Sequence, residues 1–316
     1  MLGTLLGLGS AAAFGANWLF ARRGMRRVSS NYVANVSILS GPLFFLLVCI
    51  ITGEISNLGR FTWRVYVLFA LAGVVHFALG RTFGYRTNQL IGMNRGNMIT
   101  GMSSIVTIVE AVIVLGEKLT PTMVVGIALS ISGPLLLALR ESTRESAASR
   151  GIQIGGGSAA IKAAVYEREV DRRTLQAGVF FGVGAAVFWG SSAIFVKLAL
   201  DEGGSPIAGS LISYVAASCA ISYSLLSTDI RKELFTWDPI AFRMALGSGM
   251  NTNMAQLLRF TALAYAPATV VALMQRTAPV WVLIIAFLFE RNTESFSRWV
   301  LFGNALLIAG TILVVV

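Results

Sequence analysis

The sequence predicts an all-α polytopic membrane protein: ten transmembrane helices arranged as two inverted five-helix repeats. Composition, the spacing of long apolar runs and the likeness of the two halves predict it. Of 316 residues, 55% are hydrophobic and 13% charged, with a mean hydropathy of +0.73. Soluble domains carry about 25% charged residues, so this chain lacks the charge to cover a water-facing surface. The net charge of +10 does not point to nucleic acid, because Lys and Arg fall mostly in loops between apolar runs. That is where membrane topology puts them.

A spanning helix needs about 20 mostly apolar residues. Ten such runs occur, at 2–21, 32–52, 61–80, 91–115, 120–139, 176–199, 206–227, 240–262, 266–289 and 297–316. Turn residues such as Gly53-Glu54 and Glu202-Gly203-Gly204-Ser205-Pro206 separate most of them. The first run reads as a span rather than a cleaved signal, since its positive charges (Arg22, Arg23, Arg26, Arg27) follow the apolar stretch. Residues 141–175 differ, with eleven charges and a flexible Gly155-Gly156-Gly157. They read as a polar linker with an interfacial helix over 158–175. The chain thus divides into 1–140, linker 141–175 and 176–316. Cys49 and Cys219 lie inside apolar runs and read as small buried hydrophobes.

The halves repeat. Gly7, Gly9, Phe14, Gly15, Phe20 and Arg22 precede Gly182, Gly184, Trp189, Gly190, Phe195 and Lys197 by 175 residues. Arg86 precedes Arg259, and Glu117-Lys118 precedes Glu290-Arg291, by 173; Gly126 and Gly133 precede Gly303 and Gly310 by 177. A slowly drifting offset is what duplication followed by loop insertions leaves. Five helices per half is odd, so the second copy enters the membrane with opposite polarity, the plan of many secondary transporters.

Trp189-Gly190-Ser191-Ser192, the helix ends Gly116-Glu117-Lys118 and Phe289-Glu290-Arg291, and the Gly-x-Ala-Leu-(x)3-Gly closing helices resemble the drug/metabolite transporter superfamily, best its ten-helix EamA-type branch. The resemblance covers nearly the whole chain outside the linker. It implies runs one to four and six to nine around a central cavity, runs five and ten at the periphery, and export or exchange of small metabolites. Thr277-Ala278-Pro279 carries the family's helix-nine proline, whereas Ser104-Ile105-Val106 has none, so no proline kink is expected in the fourth helix.

Arg276 is the most informative residue. It falls near the centre of the ninth run, where a charge costs at least about 2.5–3.5 kcal/mol on insertion scales. Beside Gln275, it suits binding of an anionic or zwitterionic small-molecule substrate, because a guanidinium grips a carboxylate bidentately. A structural Arg satisfied by helix carbonyls is the plainer reading. Glu110 in the fourth run and His76, the sole histidine, are candidates for a coupling proton. Asn17, Trp18, Ser191, Ser192, Tyr214, Asn251, Asn253 and Gln256 suit either cavity lining or interhelical bonding. Arg95 and Asn97 open the fourth run and suit the cavity mouth. Arg22, Lys197, Arg86 and Arg259 sit at run ends and are expected to snorkel to the interface. The ladders Gly7/Ala11/Gly15 and Gly182/Ala186/Gly190 suit close helix packing or a sliding contact.

An enzyme reading lacks chemistry. There is no phosphate-binding Gly-(x)4-Gly-Lys-Ser/Thr loop and no His/Cys/Asp/Glu cluster at metal spacing, so neither cofactor nor metal is expected. A secondary carrier in the cell membrane fits best, with a lipid-type flippase or a non-transporting scaffold as the alternative. Whether it forms a homodimer is open. Loops after odd-numbered runs hold eighteen Lys and Arg against five for even-numbered ones, Arg95 and Arg276 set aside. That places the linker in the cytoplasm.

Overall fold

The computed structural model describes residues 1–91, 96, 99–132, 172–222, 231, 238–289 and 298–315, with Trp18, Ser30, Arg172, Ala286, Arg298, Trp299, Val300 and Val315 described by their backbone alone. Every regular element among them is helical. The helices are α1 (Leu2–Met25), α2 (Ser30–Leu39), α3 (Gly41–Ile51), the single turn α4 (Ile55–Leu58), α5 (Trp63–Gly73) and α6 (Arg81–Ile91). They continue with α7 (Ser103–Val114), α8 (Pro121–Ser132), α9 (Arg172–Asp201), α10 (Pro206–Ser222) and α11 (Pro239–Tyr265). Then come α12 (Ala268–Gln275), α13 (Ala278–Phe289) and α14 (Arg298–Val315). Five stretches are long and apolar enough to cross a membrane: Leu2–Met25, Asn31–Ile51, Trp63–Ile91, Arg173–Asp201 and Ala268–Phe289. Shorter apolar helices accompany them, and the protein is a polytopic helical membrane protein.

Helix starts follow their caps. Ser29 Oγ accepts from the Tyr32 N–H at 3.1 Å to open α2. Asp238 opens α11 ahead of Pro239, accepting from the Ile240 and Ala241 N–H groups at 2.9 and 3.0 Å. The Ala241 N–H, then the Arg27 guanidinium 2.9 Å away, hold the Asp238 carboxyl below its ordinary range. That ion pair also joins the end of α1 to the start of α11, so the two helices run antiparallel. Gly116 takes φ +67° to end the strand of chain leaving α7, which brings Glu117 back against the start of α12. There its carboxylate accepts from the Ala268 and Thr269 N–H groups, an acid placed on a helix N-terminus.

The third helix is longer than its apolar run. α5 passes through a π-helical segment, Val74–Gly80, straight into α6, so Arg81 and Arg86 lie within the helix and not in a loop after it. The ninth run is broken at Arg276-Thr277, where Arg276 and Thr277 donate to Leu273 and Met274 carbonyls three residues back. Pro279 explains the break: it has no N–H to offer the Gln275 carbonyl and would clash with it in a continuous helix. The fourth run breaks as well, contrary to the expectation from its missing proline. Met102 donates to Ile99 and Ile105 to Met102, matching Thr277 to Met274 and Val280 to Thr277 residue for residue at an offset of 175. Gly101 occupies the position of Arg276 and loosens the helix instead.

The two glycine ladders make matching contacts. A methyl added at Gly7 would stand 2.9 Å from Met274 Cβ, and one at Gly15 2.6 Å from Trp281 Cβ. At Gly182 it would stand 2.8 Å from Ile99, and at Gly190 2.7 Å from Val106. Lipid tails are as apolar as side chains, so helices gain by close backbone approach, and these glycines permit it. α1 also lies along α11, where Ser10 Oγ donates to the Ala255 carbonyl at 2.7 Å. α9 lies along α6, with Trp189 seated on Gly80 and Gly84.

Two smaller expectations change. Cys49 is buried but Cys219 is on the outer surface of the bundle. Of the interfacial helix expected over 158–175, only 172–175 are described, as the first residues of α9; the rest of the linker lies outside the described residues, as do Glu290 and Arg291.

Candidate functional site

A cavity of about 240 Å³ lies where the two breaks meet α9, α11 and the π segment. His76, Ser103, Ser104, Thr107, Trp189, Ala193, Arg259, Leu263, Ala268, Val271, Ala272, Gln275 and Arg276 line it. Both broken helices contribute from their break: Ser103 and Ser104 from one, Gln275 and Arg276 from the other. Broken helices at such a site expose polar backbone to a wet pocket instead of to lipid.

One wall is backed by a hydrogen-bond network drawn from three helices, in which His76, Trp189 and Arg259 line the cavity while Ser192 and Gln256 stand behind them. His76 Nδ1 lies 2.8 Å from Ser192 Oγ, and His76 Nε2 lies 3.0 Å from Gln256 Nε2. Arg259 donates to Gln256 Oε1 at 3.3 Å and to Ser192 Oγ at 3.0 Å. Ser192 Oγ donates to the Trp189 carbonyl at 2.8 Å, and Trp189 Nε1 donates to the His76 carbonyl at 3.0 Å. Gln256 turns its oxygen to Arg259 and its NH₂ to His76 Nε2, which accepts, while His76 Nδ1 meets both Ser192 Oγ and, at 3.4 Å, the Arg259 guanidinium. No fully buried side-chain polar atom of this network lacks a partner.

Arg276 is different. Its Nε is buried with no hydrogen-bond partner, and among the described residues no carboxylate lies within ion-pair distance of it. Among the described residues no Asp or Glu lines the cavity, so two guanidinium groups face one pocket without a counter-charge from them. Gln275, next to it, spends its Nε2 on Ser10 Oγ at 3.1 Å.

Arg259 corrects the sequence reading. It is 4% exposed and lines the cavity, whereas its place near the end of an apolar run suggested snorkelling. α11 runs on to Tyr265, which puts Arg259 well inside the helix. Lys197 binds the Leu263 carbonyl at 3.1 Å and Asp201 at 3.3 Å, and Arg86 is exposed beside Gln89. Tyr214 and Asn253 do not line this cavity. Tyr214 is fully buried between Phe45 and Phe77, and Asn253 reaches Ser40 from the α11 face turned to α2 and α3. Glu110 accepts from Ser191 Oγ at 2.6 Å, one turn before α7 ends, and is not a lining residue. Asn17 accepts from Ser248 Oγ and Asn251 donates to Gly247 O; neither lines this cavity. Arg95 and Asn97, and the side chain of Trp18, lie outside the described residues.

A second cavity of about 350 Å³ sits at the end of the bundle where α1 and α6 finish and α2 and α11 begin. Among the described residues Arg81 is its one charged lining residue, and Asn17 is among its polar ones.

A family model described as the EamA-like transporter family matches residues 1–139 and 176–316. No curated protein matches the sequence. A solved crystal structure superposes with a TM-score of 0.73 at 14% identity, covering 98% of this chain and 95% of that one, a likeness of fold alone.

Proposed function

The chain belongs to the EamA-like transporter family, and from that premise we propose that it is a secondary carrier exporting or exchanging a small anionic or zwitterionic metabolite across the cell membrane. One observation carries the anionic assignment: the unpartnered Arg276 faces a carboxylate-free cavity that also holds Arg259. Two guanidinium groups at that depth are costly, and a bound carboxylate or phosphate offsets the cost through charge-assisted bonds. Arg276 grips the anion, Arg259 adds a second charge from a fixed position, and the seryl and threonyl hydroxyls of the fourth run fit the rest of the ligand. The volume suits a metabolite better than a two-chain lipid.

The architecture we infer is ten spans in two inverted five-helix repeats, 1–140 and 176–316, joined by a cytoplasmic linker. The matched breaks and matched glycine contacts support it, as does a family match in two stretches separated at the linker. Alternating access then rocks the first helix of each half against the fourth of the other, along the glycine contacts.

Purified protein in liposomes preloaded with a panel of unlabelled carboxylates, amino acids, phosphate esters and organic cations tests this by counterflow of the labelled compound. Exchange confined to compounds bearing an anionic group, lost in Arg276→Ala, is the expected result. Exchange of cations alone would overturn the anionic reading, and lipid translocation without counterflow would favour the flippase.

A further inference from the structure

The second cavity shares the chemistry of the first. Arg81 spends one N–H on the Ala34 carbonyl at 2.9 Å and, among the described residues, has no carboxylate within ion-pair distance. Asn88 and Gln89 stand with it on α6, Asn17 and Ser248 face it from α1 and α11, and among the described residues no acid lines the cavity. Asn88 Oδ1 is buried without a partner, so this wall, unlike the His76 network, is not closed on itself.

The two cavities lie in line along α11. One stripe of α11 serves both: Ser248 and Thr252 face the second, Arg259 and Leu263 the first, with Gln256 buried between them. Eleven helical residues from Ser248 to Arg259 span about 16 Å. The third helix repeats the division, His76 lining the first cavity and Arg81 the second, on either side of the end of the π segment. Gln256, bonded to His76, stands between the two cavities on α11. An anion leaving the first cavity along α11 toward the end of the bundle where α1 finishes comes next to Arg81.

We propose that the Arg81 cavity is a second anion-binding station, holding the substrate's carboxylate or phosphate group on its way between the Arg259/Arg276 cavity and the linker face. It deepens the carrier reading and rests on it. One guanidinium against two makes it the weaker station, which favours passage over retention.

Thiol chemistry tests the station without knowledge of the natural substrate. In a full-length background with Cys49→Ala and Cys219→Ala, Ala21→Cys reports on the second cavity and Ala272→Cys on the first, with Gly59→Cys as an exposed reference. Each is modified by anionic sulfonatoethyl and by cationic trimethylammonioethyl methanethiosulfonate. The expected anionic-to-cationic rate ratio at Ala21→Cys exceeds that at Gly59→Cys by about tenfold or more, the scale of one nearby charge in a partly wet site. Arg81→Gln removes the excess and Arg276→Gln leaves it. Succinate should slow modification of Ala21→Cys by neutral methyl methanethiosulfonate, and Arg81→Gln should abolish that protection. Arg81→Met also removes the charge and gives the same loss if Arg81→Gln does not fold, whereas Arg81→Lys keeps the charge and should keep the excess. A ratio at Ala21→Cys equal to the reference, one unmoved by both Arg81→Gln and Arg81→Met, or absence of succinate protection overturns the station. Loss of anionic preference at Ala272→Cys alone overturns the first-cavity reading and leaves the station standing.

Discussion

His76 and Gln256 meet through their Nε2 atoms at 3.0 Å, and the direction of that bond is set by a third residue, Arg259, which claims the Gln256 oxygen. The arrangement holds a neutral imidazole at the edge of a cavity that already contains two guanidinium groups. A proton added at Nε2 would face the Gln256 NH₂, so Gln256 would have to turn and release Arg259. Arg259 would then be freer to meet an anion, in a cavity now one charge more positive.

Acid on the substrate side should therefore raise apparent affinity for an anionic substrate, through His76. Of the two proton candidates, Glu110 is bonded to Ser191 and does not line the cavity whereas His76 does, so the expectation is placed on His76. His76→Gln should make transport insensitive to a pH gradient, and Glu110→Gln should keep the response. Flux measured in liposomes with and without an imposed gradient decides it. A response lost in Glu110→Gln and kept in His76→Gln would move the coupling site.

The two cavity arginines should separate when activity and stability are measured together. Arg276→Ala removes a cation without a protein partner, so substrate affinity should fall roughly ten- to a hundred-fold, the worth of a charge-assisted bond. Its thermal unfolding in detergent should be unchanged or slightly higher. Arg259→Ala strips partners from Gln256 and Ser192 and should lower both transport and unfolding temperature. Arg276→Lys should recover only part of the affinity, because an ammonium lacks the planar fork. Equal destabilisation by both alanine variants would show that Arg276 has a structural partner.

Arg276 was legible in the sequence because a charge in the middle of an apolar run has few innocent explanations. Arg259 and Arg81 were not, for a common reason. Arg81 lies just past the end of its apolar run at 80, although the helix continues to Ile91, and Arg259 lies near the end of its run, where a long side chain is expected to snorkel, although the helix turns it into a cavity. Hydropathy marks lipid contact rather than helix length. The π segment has no side-chain period to betray it. His76, Ser192 and Gln256 were each visible as polar residues in apolar runs, but they come from three helices, and no spacing along the chain brings them together. Tyr214 misled in the opposite direction: its ring fills a core between Phe45 and Phe77, and its hydroxyl said nothing of that.

The glycine contacts should be intolerant of even one methyl. Gly190→Ala would push against Val106 and the Ser103 carbonyl 2.8 Å away, and Gly15→Ala against Trp281. Overpacking of this kind costs about 1–3 kcal/mol, read as a lower unfolding temperature in detergent. Gly59→Ala, with nothing within 4 Å and ordinary backbone angles, is the control and should be neutral. Because the two ladders make matched contacts, Gly7→Ala and Gly182→Ala should cost similar amounts. A large difference between those two would argue that the repeats do not pack alike.

Orientation is the last point the fold sharpens. The count of Lys and Arg favours a cytoplasmic linker, but it included Arg81 and Arg259 as interface charges, and both line cavities. Setting them aside removes one positive residue from each side, so the bias is unaltered, and the Arg-rich stretch after α1 still lies on the linker face. The ion pair of Arg27 with Asp238 fixes the end of α1 and the start of α11 on that same face. A single cysteine placed within 150–160, with Cys49 and Cys219 replaced, should therefore resist an impermeant maleimide in intact cells and react after lysis. A cysteine in place of Gly53 or Gly203, in turns on the opposite side, should behave in the reverse way. Labelling of the linker in intact cells would invert the protein in the membrane, and with it the face from which Arg81 is reached.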